Sequence, residues 1–86
     1  MKIRIPYMLQ QYTRGIETAD IKGKTVGECL NILVKEFPDI KSRIFDESGQ
    51  LLKHFNLYLN NRNVSGLASP VKDDDELLIL VAIDGG

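Results

Sequence analysis

The sequence lacks three features that define large classes of protein: a second cysteine, an excess of charge of one sign, and a long apolar run. A lone Cys29 can form neither an internal disulfide nor a site built from several thiolates, which excludes a two-iron ferredoxin. Eleven Lys and Arg against twelve Asp and Glu leave a net charge of −1, without the basic footprint of a protein that binds nucleic acid or anionic membranes. No apolar run approaches the roughly 18 residues that cross a bilayer, and the N-terminal segment lacks the order of a signal peptide. We therefore expect a cytoplasmic protein that binds neither nucleic acid nor membrane.

What is present suffices for one small core. The chain has 86 residues, of which 43% are hydrophobic and 27% charged. This balance is typical of a folded globular chain rather than a disordered one. Since repeats, linkers and low-complexity segments are absent from the sequence, we expect a single domain over residues 1–86.

A helix is predicted over residues 25–37, and it is the clearest element in the chain. Thr25 followed by Glu28 fits a capping box, in which each side chain satisfies a backbone N–H at the helix start. Pro38 ends the helix, and Asp39 is placed to cap a short second turn that carries Ile40 and Ile44. Apolar residues recur at three- and four-residue spacing and so line one helix face: Val26, Cys29, Leu30, Leu33, Val34 and Phe37.

The N-terminal region predicts an antiparallel hairpin. Residues 1–7 alternate between apolar and polar side chains, which is typical of a half-buried strand that ends at Pro6. Residues 16–21 form a weaker strand pattern. Gly15 is the predicted turn residue in a loop of some eight residues between them.

The C-terminal half predicts two further strands and a short one. Residues 55–60 alternate, and the polar run over residues 60–63 predicts a turn before a short strand at Val64. Residues 76–83 are apolar at both odd and even positions, so both faces of this strand are apolar. Such a strand belongs in the middle of the sheet or under a partner.

Together these elements predict an α+β fold in which one main helix packs on one face of a mixed sheet. A β-grasp fold satisfies this order, with the first and last strands adjacent and parallel. If Ile3, Ile5, Leu57, Leu77 and Ile79 face the helix, the alternating side chains must face away from it. Monomers seldom expose apolar groups on an uncovered sheet face without a use, so we predict a partner-binding patch of Tyr58, Leu78, Leu80 and Ala82.

The chain ends in Gly85 and Gly86, directly after the predicted central strand. Without side chains this pair can enter a narrow cleft and so bring the terminal carboxylate of Gly86 into another protein's active site. The alternative is a frayed end without a role.

At this point the chain resembles the ubiquitin-like sulfur carriers, which include the small subunit of molybdopterin synthase, the thiamine sulfur carrier and the cysteine-biosynthesis carrier. The resemblance covers nearly the whole length. It rests on the helix opened by TVGECL, the block FNLYLNNRNV, the stretch VKDDDELLIL and the end VAIDGG. The opening IPYMLQQYTRG is most similar to that of the cysteine type.

The resemblance implies a β-grasp, ubiquitin-like fold with a flexible Gly-Gly tail, and a carrier rather than an enzyme. An adenylating enzyme would use ATP to convert the Gly86 carboxylate into an acyl-adenylate, and sulfur would then displace AMP to leave a thiocarboxylate. The chain itself would bind no cofactor and no metal. Asp84 departs from the family, which usually has a small apolar residue there; it either selects a particular activating enzyme or is tolerated in solvent.

The implied partners are a ubiquitin-activating-like adenylating enzyme and a sulfur acceptor. The acceptor would be cysteine synthase for the leading interpretation, with a metalloprotease as a further partner, or the molybdopterin synthase large subunit for the alternative. Another class of function is a ubiquitin-like modifier joined to lysines through Gly86. A third is an interaction module with an inert tail.

The other polar candidates are interpreted structurally. Asp73, Asp74 and Asp75 lack the alternating ligands of a calcium loop and predict a solvated turn. His54 has no catalytic set around it in the sequence and predicts a surface or packing role. Cys29 lies on the apolar helix stripe and is expected in the core.

Overall fold

A mixed sheet forms the centre of the computed structural model, which describes residues 1–64 and 66–81. Within this part of the chain, the sheet has the order β2-β1-β5-β3-β4. β5 runs parallel to β1 and antiparallel to β3, which confirms that the first and last strands are adjacent and parallel. This is the predicted β-grasp arrangement. The strands are β1 (Lys2–Arg4), β2 (Thr18–Asp20), β3 (Phe55–Leu59), β4 (Arg62–Val64) and β5 (Glu76–Val81).

β5 occupies the centre of the sheet, as its two apolar faces predicted. Leu77 and Ile79 are buried, whereas Leu78 is half-buried and Leu80 is exposed. The strand is described as far as Val81. The predicted continuation through residues 82 and 83 lies outside the described residues.

Helix α1 (Val26–Glu36) matches the predicted helix to within one residue at each end. The Glu28 backbone N–H donates to Thr25 Oγ1 at 3.1 Å, which confirms Thr25 as the N-cap. Within the described residues the Glu28 carboxylate accepts no hydrogen bond from the Thr25 backbone N–H, so only half of the predicted capping box forms. The buried stripe matches the prediction except for Val34, which is half-buried.

Beyond α1 the chain makes a 3-10 turn (Pro38–Ile40) and a short helix, α2 (Lys41–Ile44). Ile40 and Ile44 are fully buried, as expected of the second turn. The prediction that Asp39 caps this turn was wrong. Ile40 is the residue before α2, and no side-chain hydrogen bond caps the helix, because α2 continues directly from the preceding turn.

The N-terminal hairpin is antiparallel as predicted, but its strands are shorter than residues 1–7 and 16–21. After Pro6, which has no N–H to donate to a ladder, the chain forms a 3-10 helix (Tyr7–Tyr12). Burial of Leu9 fixes this segment against the core. Gly15 adopts a positive φ of 79°, in agreement with its predicted role as the turn residue.

The β3–β4 hairpin turns on two residues rather than on the predicted residues 60–63. Asn60 and Asn61 have φ of 50° and 70°, the left-handed pair that matches the twist of a two-residue hairpin. Arg62 therefore already pairs with Leu59 in the sheet.

The core lies between α1 and one face of the sheet, and the opposite sheet face is uncovered within the described residues. None of the described helices is long and apolar enough to cross a membrane. The core consists of Met1, Ile3, Ile5, Leu9, Ile21, Val26, Cys29, Leu30, Leu33, Phe37, Ile40, Ile44, Phe45, Phe55, Leu57, Leu77 and Ile79.

Candidate functional site

The candidate site begins where β5 ends. Val81 is the last described residue of this strand, and it pairs with Phe55 of β3. The predicted reactive residues Gly86, Gly85 and Asp84 lie outside the described residues, as does Ala82 of the predicted patch. The structure therefore fixes the base from which residues 82–86 extend.

Three of the predicted patch residues lie together on the open face of the sheet. Tyr58 and Leu78 are directly opposite each other in the β3–β5 ladder, and Leu80 follows on the same face of β5, paired with Asn56. Tyr58 and Leu78 are half-buried, whereas Leu80 is 41% exposed. We call these three residues the open-face patch. Its role in binding a partner remains a prediction.

An ion pair borders the open-face patch on the side of β1. Arg4 pairs in the ladder with Leu78, and its Nε donates to Glu76 Oε1 at 2.7 Å. Both side chains are about half exposed, so solvent screens the pair and its contribution to stability is small. Its geometric effect is to hold a charged side chain along β1, which places a polar rim beside the apolar patch.

A second exposed apolar group was not identified from the sequence. Tyr7 is 88% exposed and Met8 is 54% exposed, at the start of the 3-10 segment that follows β1. The run YML could have indicated this group, because three consecutive large apolar side chains cannot all face the core from a single short turn. Leu9 takes the buried position, so Tyr7 and Met8 are left outside.

A groove lies next to Met8, between the 3-10 segment and the start of β3. Tyr12, Arg43 and His54 are among its lining residues. The Arg43 guanidinium sits 4.9 Å from the centre of the Tyr12 ring, a cation–π contact. His54 is exposed, and its ring centre lies 4.5 Å from that of Phe55, in agreement with the predicted surface or packing role.

The acidic run forms part of the turn before β5, as predicted. Asp75 Oδ1 accepts a hydrogen bond from Asn60 Nδ2, and its Oδ2 accepts one from the Lys72 backbone N–H, both at 2.7 Å. The bonds to Asn60 and then Lys72 favour the ionised carboxylate, so they hold the pKa of Asp75 below its ordinary value. Asp75 thereby ties the β3–β4 hairpin to the start of β5.

Cys29 lies in the core, as its position on the helix stripe predicted. Its side chain is fully buried, and burial raises the pKa of the thiol. A raised pKa keeps the thiol protonated at neutral pH, and a protonated, inaccessible thiol is a poor nucleophile. The described residues thus offer contact surfaces, and the chemistry predicted for this chain is carried by its terminal carboxylate.

Comparisons with known proteins agree with this architecture. The model of the ThiS family matches residues 5–86. The sulfur carrier protein CysO of Mycobacterium tuberculosis is 33% identical over 89 residues, which cover 98% of this chain and 96% of that protein. Small archaeal modifier protein 1 of Haloferax volcanii is 35% identical over 68 residues, or 78% of this chain and 77% of that protein.

Solved structures show the same fold along the chain. CysO from the BexX/CysO complex of Amycolatopsis orientalis superposes with a TM-score of 0.88 at 35% identity, covering 99% of this chain and 98% of the other. The Haloferax volcanii modifier superposes with a TM-score of 0.84 at 30% identity, covering 100% and 98%. With a family match over residues 5–86 and the ubiquitin-like β-grasp fold in place, the chain belongs to the ThiS family of ubiquitin-like sulfur carriers.

Proposed function

We propose that this chain carries sulfur as a thiocarboxylate on Gly86 and donates it in cysteine biosynthesis. The observation that supports the proposal most is the similarity to the sulfur carrier CysO over 98% of the chain. The sequence ends in the Gly-Gly pair that such a reaction needs, since two residues without side chains can enter a narrow catalytic cleft.

The proposed chemistry proceeds in two steps at one carbon atom. A carboxylate oxygen of Gly86 attacks the α-phosphorus of ATP on the adenylating enzyme, and pyrophosphate leaves. Hydrosulfide then attacks the carbonyl carbon of the acyl-adenylate, AMP leaves with the former carboxylate oxygen, and a proton is released. The product is a thiocarboxylate, whose sulfur is the nucleophile offered to the acceptor.

The folded part of the chain contributes position and recognition rather than catalysis. β5 pairs with β1 as far as Leu78 and with β3 as far as Val81, so the strand that precedes the reactive tail is held in the sheet to its last described residue. The open-face patch, Tyr58, Leu78 and Leu80, is proposed to dock the activating and acceptor enzymes. An apolar patch with a polar rim is the usual anatomy of such an interface.

Intact-mass measurement tests the carrier chemistry. The protein is incubated with ATP, sulfide and an adenylating enzyme that loads a CysO relative in a parallel reaction. We expect a mass gain equal to the difference between sulfur and oxygen, and no gain for a variant that lacks Gly86. Absence of the gain in the intact chain, while the CysO relative is loaded, would contradict the proposal.

The loaded protein then distinguishes the acceptors. Appearance of the thiocarboxylate sulfur in the product of a cysteine synthase supports the cysteine type. Transfer only to a molybdopterin synthase large subunit would instead assign the chain to molybdenum cofactor synthesis.

A ubiquitin-like modifier is the second candidate function, favoured by the 35% identity to small archaeal modifier protein 1. In this case a lysine amine attacks the carbonyl carbon of the Gly86 acyl-adenylate, AMP leaves, a proton is released, and an isopeptide bond forms. Tryptic digestion of cellular proteins would then leave a remnant ending in Gly-Gly on target lysines, which a strain expressing the Gly86-deleted chain would lack. A sulfur carrier without modifier activity predicts no such remnants in either strain.

A further inference from the structure

Tyr7 and Met8 form an exposed apolar pair on a well-braced segment. They account for two of the four large hydrophobic side chains exposed in the described residues, together with Ile16 and Leu80. The segment beneath them is held by hydrogen bonds: the Leu9 N–H donates to the Pro6 carbonyl at 2.9 Å, and Gln10 Nε2 donates to the Ile5 carbonyl at 3.1 Å. Because the backbone of this segment is already ordered, binding here would not carry the cost of ordering a loop.

The topology places this pair at the edge of the sheet from which the reactive tail departs. β1 and β5 are parallel and in register at Arg4 and Leu78, so the chain leaves both strands at the same edge. Side-chain neighbours agree with this placement. Met8 shares a groove with Phe55, the partner of Val81 at the end of β5. Gln10, which lies beside Tyr7, also lines a depression with Leu78 of the open-face patch.

The length of the tail limits where an enzyme that acts on Gly86 can stand. Five residues follow Val81, and even a fully extended chain of that length spans at most roughly 18 Å. An enzyme that takes the Gly86 carboxylate into its catalytic site must therefore bring its surface close to the end of β5. Tyr7 and Met8 follow β1 at this edge as exposed side chains, and Met8 lines a groove with Phe55, the partner of Val81.

We propose that Tyr7 and Met8 dock the adenylating enzyme in an apolar pocket beside its entrance for the tail. This contact is additional to the open-face patch, and the inference rests on the proposed function because it needs Gly86 to be activated. The side chains around Tyr7 are the uncharged Gln10 and Gln11. Arg43 lines the groove on the Met8 side, so the complementary surface is apolar with hydrogen-bond acceptors at its rim.

Carrier-dependent ATP–pyrophosphate exchange tests this contact, because it reports adenylation before sulfur enters. We compare the full chain with the double variant Tyr7→Ser, Met8→Ser and with Lys22→Ser. Lys22 has a long, exposed side chain and follows β2. The neighbouring Ile21 N–H donates to the Met1 carbonyl, so Lys22 lies beside the start of β1, at the opposite end of the sheet. We expect the double variant to raise KM for the carrier roughly tenfold or more with kcat nearly unchanged, as for the loss of a central aromatic anchor. Lys22→Ser should leave both constants unchanged.

Thermal unfolding separates docking from folding. Both side chains of the pair are mostly exposed, so we expect the unfolding midpoint to remain close to that of the parent. If the double variant unfolds, the single variant Tyr7→Ser replaces it in the exchange assay, since Tyr7 is the more exposed of the two residues.

Three results would overturn the inference: an unchanged KM, a fall in kcat at constant KM, or an equal rise in KM for Lys22→Ser. Failure of the proposed function looks different. In that case the parent chain itself supports no exchange with an adenylating enzyme that is active on a CysO relative.

Discussion

At the scale of single residues, close packing between Gly23 and Cys29 fixes the chain just before α1. A Cβ built on Gly23 would lie 2.6 Å from Cys29 Sγ and 3.2 Å from the Cys29 backbone nitrogen. Real Cβ atoms do not approach a neighbour so closely. Cys29 is fully buried, so its sulfur cannot move out into solvent. A side chain at position 23 therefore forces Cys29 or its surroundings to shift.

Gly23→Ala should destabilise the fold by about 1–3 kcal/mol, the usual cost of overpacking a core. The substitution should cost less in a Cys29→Ala background, where the sulfur that meets the new methyl group is absent. Urea unfolding of the four proteins of this double-mutant cycle measures the coupling. Equal costs of Gly23→Ala in both backgrounds would show that the sulfur contact is not the cause.

At the scale of elements, the first turn of α1 is anchored by three hydrogen bonds from outside the helix. Thr25 Oγ1 accepts from the Glu28 N–H, as the sequence predicted. The other two come from a distant segment: the Val26 N–H donates to the Ser69 carbonyl at 2.9 Å, and the Gly27 N–H donates to the Leu67 carbonyl at 2.8 Å. The N–H groups that a helix start leaves unpaired are thus satisfied by both local and long-range acceptors.

Thr25→Ala should lower the free energy of unfolding by about 1 kcal/mol, because it removes the local acceptor at the N-cap. In a chain of this size that corresponds to a fall of roughly 4–8 °C in the melting temperature. Thr25→Ser retains the hydroxyl and is the matched control, for which we expect most of the stability to be kept. A serine variant as unstable as the alanine variant would assign the loss to the threonine methyl group instead.

At the scale of the whole molecule, the sheet has two unlike faces. One is covered by α1 and buries Leu77 and Ile79, whereas the other carries the open-face patch. A single helix covers only one face of a sheet this narrow, so the second face stays available to partners. Stability therefore depends on one set of β5 side chains, and the partner binding proposed for this chain depends on the other set.

Leu80→Glu should impair loading of Gly86 while leaving the fold intact, because Leu80 is 41% exposed and its replacement leaves no buried charge. We expect KM of the adenylating enzyme for the carrier to rise roughly tenfold or more, with little change in the urea midpoint. Asn31→Glu adds the same charge at an exposed position of α1, on the other side of the molecule, and should have no effect. Unimpaired loading of the folded Leu80→Glu protein would contradict a docking role for the open-face patch.

Predictions from local patterns were reliable where one element's own residues decide its structure. The spacing of Val26, Leu30 and Leu33 specified α1, and Thr25 and Pro38 specified its ends. The two apolar faces of β5 predicted a place in the middle of the sheet or under a partner, and the structure shows the first. Local rules failed where a neighbouring element decides: the strands predicted over residues 1–7 and 16–21 are three residues long, and Asp39 does not cap the second turn.

The candidate site was likewise predicted only in part from the sequence. The sequence by itself identified the Gly-Gly end and the alternation that puts Tyr58, Leu78 and Leu80 on one face, because side-chain parity in a strand is a local property of extended backbone. Only the tertiary structure left Tyr7 and Met8 exposed and placed Met8 in one groove with Phe55, the partner of Val81. The parallel pairing of β1 with β5 followed from the order of the elements, but the course of the chain after Pro6 did not, because it depends on burial of Leu9 among core side chains from distant parts of the chain. No periodicity within residues 7–12 encodes this burial, since it arises only when the distant elements pack together.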